Sequence, residues 1–192
     1  RSGWDRIVSV YGGMLPIKIK ALPEGTITPT RVPMVTVENT DPTMPWLTSL
    51  VETAIVRAVW YPTTVATLSR EMKRLLMVYI EKTSDNPDAI NFMLHDFGSR
   101  GVSSRESAEI GGMAHLVNFK GTDTVAALLG ARFYYGAHMA GFSIPASEHS
   151  TMTVWTKAEE VEAYRNMLKT HAAPGSIFAC VSDSYEIGRA HV

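Results

Sequence analysis

Residues 94–123, LHDFGSRGVSSRESAEIGGMAHLVNFKGTD, gather the side chains best suited to chemistry in this 192-residue sequence. Two short apolar stretches, near 93–97 and 116–119, each run into a glycine-bearing turn and then a helical pattern. The first turn holds Asp96, Phe97 and Arg100; the second holds Lys120, Thr122 and Asp123. Ligands bind at the carboxyl end of the strand in a strand–loop–helix unit, so the segment has the layout of an active-site rim. Arg100 sits in Gly98-Ser99-Arg100-Gly101, just ahead of a helix that Ser103 and Glu106 would cap. A guanidinium at a helix N-terminus suits phosphate, although an ordinary turn with a surface arginine has the same composition. Asp123 stands where a second helix begins, a place an acidic residue favours for capping alone. Its functional reading is a carboxylate accepting hydrogen bonds from a ligand amide. Phe97 offers a face for a flat ring, or a core side chain.

A second group lies in GFSIPASEHST, where Ser143, Glu148 and His149 fall close together. A Ser–His–acid hydrolase is conceivable, but residues 141–145 lack the second glycine of a nucleophile elbow. His149, near another helix start, is a candidate phosphate contact or phosphorylation site; like His95, it also fits a plain hydrogen-bonding role. No His-Glu-x-x-His and no Cys/His cluster is present, which argues against a structural zinc site. Gly111-Gly112 inside a predicted helix costs roughly 1 kcal/mol per glycine. Close packing is the expected reason.

The elements that must position these residues change character along the chain. Residues 15–38 alternate apolar and polar, punctuated by Pro16, Pro23, Pro29 and Pro33, which predicts three short antiparallel strands. Residues 46–60 follow a helical spacing that Tyr61-Pro62 should break, and residues 63–83 form the clearest amphipathic helix. From there strands and helices alternate: strands at 92–97, 116–119, 141–144 and 177–181, helices at 103–114, 122–135, 148–155 and 158–170. That alternation implies parallel βα units. The expected fold class is α/β, a partial irregular βα barrel preceded by a small β-rich α+β domain. Residues 1–90 form the first section and 91–185 the first barrel units. A formal net charge of −1 argues against a general nucleic-acid binder. Cys180, the single cysteine, excludes a disulfide framework and leaves a reducing, cytoplasmic setting as the default. Apolar runs are too short to span a membrane.

Several long stretches carry a resemblance in one consistent order. HDFGSRGVSSRESA, HLVNFKGTDTVAAL, SIPASEHSTMTVW and VSDSYE, with VENTDP, WLTSLVET and WYPTTVATLSRE upstream, resemble the nicotinamide phosphoribosyltransferases of the type II phosphoribosyltransferase family. The resemblance spans residues 4–185. It implies an irregular barrel with an added β-rich domain and a homodimer. It also implies transfer of phosphoribose from 5-phosphoribosyl 1-diphosphate to nicotinamide in NAD salvage. Mg²⁺ accompanies the diphosphate substrate, and ATP is the coupling substrate. By the same resemblance Phe97 stacks on the pyridine and Asp123 accepts from the carboxamide. Arg100 contacts diphosphate or phosphoribose, and His95 joins the substrate-binding group. His149 contacts diphosphate and is phosphorylated from ATP, and Asp183 matches an acidic position near the ribose and diphosphate. The alternatives are nicotinate as substrate, or a catalytically incomplete phosphate-binding fragment.

The chain also departs from that family. Ser99 falls where relatives carry a larger aromatic residue. Family members are more than twice as long, so the expectation is an internal fragment whose true start precedes Arg1 and which is inactive alone. Residues 186–192, EIGRAHV, do not continue the family pattern and read like translated adapter sequence, so Arg189 and His191 carry no functional weight.

Overall fold

A computed structural model describes residues 2–186; the tail expectation therefore lies, apart from Glu186, outside the described residues. The structure is mixed α/β with two small sheets. It divides into two compact units, one ending at Gly141 and the other beginning at Phe142.

The first unit starts with helix α1 (Ser2–Tyr11), whose Ile7 packs with Met44 and Leu47 in a buried cluster. Asp41, also buried, clamps that corner. Its carboxylate accepts from Thr43 Oγ1 at 2.6 Å, Arg6 Nε at 2.7 Å, Tyr11 Oη at 2.8 Å and the Thr43 amide at 2.9 Å. These donors, Thr43 foremost, hold it well below the usual carboxylate range. Next comes an antiparallel hairpin, β1 (Ile17–Ala21) with β2 (Val35–Asn39), in the register Ile17 opposite Asn39. The third strand expected near Ile27 does not form. Pro23, Pro29 and Pro33 leave the connection without the donors a middle strand needs, and it runs as turns.

Helix α2 (Leu47–Thr83) is one 37-residue rod with Pro62 inside it, where the sequence predicts a break. Packing overrides the local preference. The Tyr61 ring abuts Gly111 so closely that a Cβ there would sit 2.6 Å from its hydroxyl. Further along, Lys73 Nζ donates to the Asn118 carbonyl at 2.5 Å and to Asn91 Oδ1 at 3.2 Å, and Asn118 Nδ2 donates to the Ala66 carbonyl at 2.9 Å. The rod thus braces the loops on either side of the small parallel sheet.

That sheet is minimal: β3 (His95–Asp96) pairs in parallel with β4 (Gly121–Thr122). Of the strand expected at 92–97 only His95–Asp96 forms, after a 3-10 turn (Pro87–Phe92); none of that expected at 116–119 forms, since Leu116 ends helix α3 (Arg105–Leu116) and residues 117–118 turn. Two-residue strands carry no alternation to read, which is why their bounds were misplaced. The parallel βα arrangement itself is present. Ser104, not Ser103, caps α3, accepting from the Ser107 amide. Helix α4 (Val125–Tyr135) follows β4 and ends at Gly136 in the left-handed region, φ 65°. Close packing explains the paired glycines: a Cβ on Gly112 would lie 2.5 Å from Ala127 Cβ of α4. Near that end of α4, the Tyr135 hydroxyl bonds Glu24, which with burial pushes its pKa up to about 12.

The second unit contains short helix α5 (His149–Thr153) and helix α6 (Glu160–His171), with Met152, Ala163 and Met167 buried. Neither strand expected at 141–144 or 177–181 forms a ladder among the described residues, and Ala146 and Ala179 make an isolated parallel bridge. Pro145 has no N–H to extend the ladder. Instead, its carbonyl accepts from Ala179 N, and Ser147 Oγ accepts from Val181 N. Among the described residues no helix is long and apolar enough to cross a membrane.

Candidate functional site

The parallel pairing of β3 and β4 fixes the first group of site residues, because both loops leave the same sheet end. The Asp123 amide donates to the Asp96 carbonyl at 2.7 Å, which locks the second loop to the first. Asp96 also shapes the first loop: its Oδ1 accepts from the Gly98 amide at 2.9 Å. Asp96 Oδ2 meets the Thr122 hydroxyl at 3.5 Å. Asp96 is therefore the joint of the rim, with its carboxylate and carbonyl both used internally.

On that rim His95 Nε2 meets Asp123 Oδ1 at 3.0 Å. The His95 ring stacks on Phe97, 6.0 Å between centroids and 28° between planes. Phe97 remains 68% exposed, so its face is available to a flat partner rather than spent on a core. A cleft of about 300 Å³ is lined by Phe97, Ser99, Arg100, Asp123 and Thr124. Phe97, Ser99 and Thr124 also line a neighbouring cleft of about 410 Å³, walled by α2 and α3. An aromatic face, a guanidinium and a carboxylate thus border one space. A planar ring with a hydrogen-bond donor and an anionic tail is the ligand chemistry that these three groups complement.

Behind this rim lies His115, which the sequence reading passed over. It is buried on α3, stacks on Phe119 at 5.5 Å and bonds the Gly121 carbonyl through Nε2 at 2.9 Å. Contact with a carbonyl requires Nε2–H. Burial, the dominant influence, lowers its pKa, against the opposing pull of that carbonyl and of Asp96. A neutral histidine holding β4 in place is the result. The only signal in the sequence was a histidine in an otherwise small and apolar helical run. Thr124, likewise passed over, is buried, and its hydroxyl has no hydrogen-bond partner.

The second unit brings together His149 and Asp183, with Nε2 and Oδ1 3.0 Å apart. His149 is the first residue of α5, whose capping box joins Glu148 and Thr151. Ser143 Oγ donates to the Ile144 carbonyl at 3.4 Å. The imidazole is thus oriented by a carboxylate 34 residues away in sequence. Among the described residues no three His, Cys, Asp or Glu side chains converge to hold a metal ion.

Comparison with known proteins adds an independent line. Residues 92–188 match the profile of the "Nicotinate phosphoribosyltransferase (NAPRTase) family". A curated nicotinamide phosphoribosyltransferase of Xanthomonas campestris pv. campestris is 54% identical over 190 residues, covering 98% of this chain and 40% of that protein. One from Acinetobacter baylyi is 41% identical, covering 92% of this chain and 35% of its own length. One from Mycoplasma pneumoniae is 34% identical, with 90% and 36% covered. The chain spans about 40% or less of the length of these relatives.

Proposed function

The chain belongs to the nicotinate phosphoribosyltransferase (NAPRTase) family, and from that premise we propose that it forms the pyridine-binding part of an enzyme making nicotinamide mononucleotide and diphosphate in NAD salvage. The supporting observation is the convergence of Phe97, Arg100 and Asp123 on one cleft. In the reaction the C1–oxygen bond to diphosphate breaks and the pyridine nitrogen bonds C1. Positive charge grows on the ribosyl ring and negative charge on the departing diphosphate. Phe97 stacks on the pyridine and Asp123 accepts from the carboxamide N–H, with His95 holding the carboxylate in line. Arg100 faces the phosphates, where a fixed guanidinium offsets the charge of the leaving group. His149, oriented by Asp183, is the diphosphate contact and the acceptor of a phosphoryl group from ATP.

Asp123 favours the amide over the acid, since nicotinate would set two like charges together at a cost of several kcal/mol. The family's printed name points to the second reading, nicotinate as substrate, whereas the three relatives are named for nicotinamide. Mg²⁺ would come with the diphosphate substrate and would offset its negative charge. The convergence of acidic and imidazole groups that a resident ion would need is not found among the described residues. The wider reading is a partial βα barrel at 91–185 after a hairpin-and-helix section at 1–90, in a cytoplasmic homodimer.

The test uses this chain grafted in place of the matching stretch of the Xanthomonas relative. Formation of mononucleotide from nicotinamide, faster than from nicotinate, is expected. A folded graft that makes neither mononucleotide overturns the reading, and one that prefers nicotinate establishes the second.

A further inference from the structure

We propose that Thr124 is a specificity-determining contact of the pyridine site, its hydroxyl donating to the carbonyl oxygen of the substrate carboxamide while Asp123 accepts from the amide N–H. This rests on the phosphoribosyl-transfer reading above and deepens it. Thr124 is 2% exposed, yet its Oγ1 has no hydrogen-bond partner. It occupies the cap position of α4, where a threonine hydroxyl ordinarily accepts from an amide two or three residues on. Here it makes no such bond.

The rest of the residue is fully engaged. Its amide donates to Thr122 Oγ1 at 3.0 Å, and its carbonyl accepts from Ala127 N at 3.0 Å. The backbone is therefore fixed while the hydroxyl alone is left over. A buried hydroxyl without a partner is a standing cost to the fold. That cost falls at a residue lining both clefts, next in sequence to Asp123 and bordering the same space as Phe97. A ligand that supplies the missing partner accounts for it.

The neighbouring groups define that ligand. An ionised carboxylate only accepts, whereas a hydroxyl also donates. An acceptor beside a donor complements a primary carboxamide, which offers N–H and C=O from one planar group. A carboxylate ligand would satisfy Thr124 but repel Asp123. The pair thus reads both halves of the amide.

The experiment measures binding of nicotinamide and of 3-acetylpyridine to the 192-residue chain by calorimetry. 3-Acetylpyridine keeps the carbonyl but lacks the N–H. Thr124→Val, which preserves shape, is expected to weaken both ligands by roughly 3–10-fold, the range for one net hydrogen bond. Thr124→Ser is expected to restore both. Because the hydroxyl makes no bond within the protein, Thr124→Val should melt at or above the wild-type temperature. Equal binding of nicotinamide by the wild type and Thr124→Val overturns the proposal and leaves the reaction assignment standing. Absence of nicotinamide binding by the wild type overturns both. A lowered melting point for Thr124→Val, with Thr124→Ser unchanged, assigns the hydroxyl a structural role and also overturns it.

Discussion

Two histidine–aspartate pairs among the described residues share a 3.0 Å separation in different surroundings. His95 is 25% exposed, its ring lies on Phe97, and Asp123 is tied by its own amide to Asp96 across a parallel strand pair. His149 is 60% exposed and sits on a five-residue helix, with Asp183 on a loop outside any strand or helix. The first pair is thus embedded through its imidazole, its carboxylate being 47% exposed, whereas the second leaves its imidazole in the open beside a carboxylate that is 37% exposed. Equal distances therefore do not imply equal work. The first is suited to holding a carboxylate at a set angle toward a neutral ligand. The second leaves an imidazole accessible to a large anion.

The largest effect expected from breaking that distinction is at Asp123. Asp123→Asn, placed in the graft described above, should lower kcat/KM for nicotinamide relative to nicotinate by roughly 10–150-fold, the range for a hydrogen bond to a charged group. An unchanged ratio would show that the embedded pair does not read the substrate. At the open pair, His149→Ala should weaken diphosphate binding by roughly 10-fold through loss of a charge-assisted contact. Asp183→Asn should cost only about 2–5-fold, because exposed ion pairs contribute little. If Asp183→Asn proves as damaging as His149→Ala in diphosphate titrations, the second pair is not the loose one described.

Between these lies a packing test. Gly112→Ala places a Cβ 2.5 Å from Ala127 Cβ and 3.1 Å from Asp96 Oδ2. Overpacking costs about 1–3 kcal/mol, against roughly 1 kcal/mol gained from helix propensity. A lower melting temperature is expected, with weaker nicotinamide binding because Asp96 is the joint of the rim. A variant that melts higher would mean α3 and α4 can separate freely.

The same contrast explains what was legible in the sequence. That Phe97, Arg100 and Asp123 border one space could be anticipated because glycine-bearing turns before helical patterns are local signals, and because the motifs around them resemble a family. Gly111 and Gly112 were readable for the reason the structure bears out: tight helix packing. Strand bounds were not readable, since His95–Asp96 and Gly121–Thr122 are held by braces that join Lys73 and Ala66 of the long helix α2 to Asn118 just ahead of β4, not by their own alternation. Pro62 misled because its local cost is outweighed by tertiary contacts. Thr124 hid in plain view, since a threonine before a helix reads as a cap, and only the structure leaves its hydroxyl without that bond.

The smallest expected effect is one of pH, and it bears on the embedded pair through its support. His115 holds the Gly121 carbonyl of β4, and burial keeps its pKa below the ordinary value of 6.5. The charged groups acting on it are Asp96, which raises the pKa, and His95, which lowers it. In the unfolded chain the same imidazole takes up its proton near 6.5, so below that pH the unfolded state binds more protons. Stability from this group is therefore complete above about 6.5 and declines as pH falls below it. Asp41 acts in the same direction but at lower pH, its folded pKa being depressed, so its share is lost only within the carboxylate range. Melting curves at pH 5.2 and 7.5, roughly a unit either side of the imidazole range, separate the two. The wild type should lose a few degrees at the lower pH, and His115→Gln should lose less. An equal loss in both would remove His115 from the support of β4, leaving the strand pairing and the α2 braces to hold Asp123 in place.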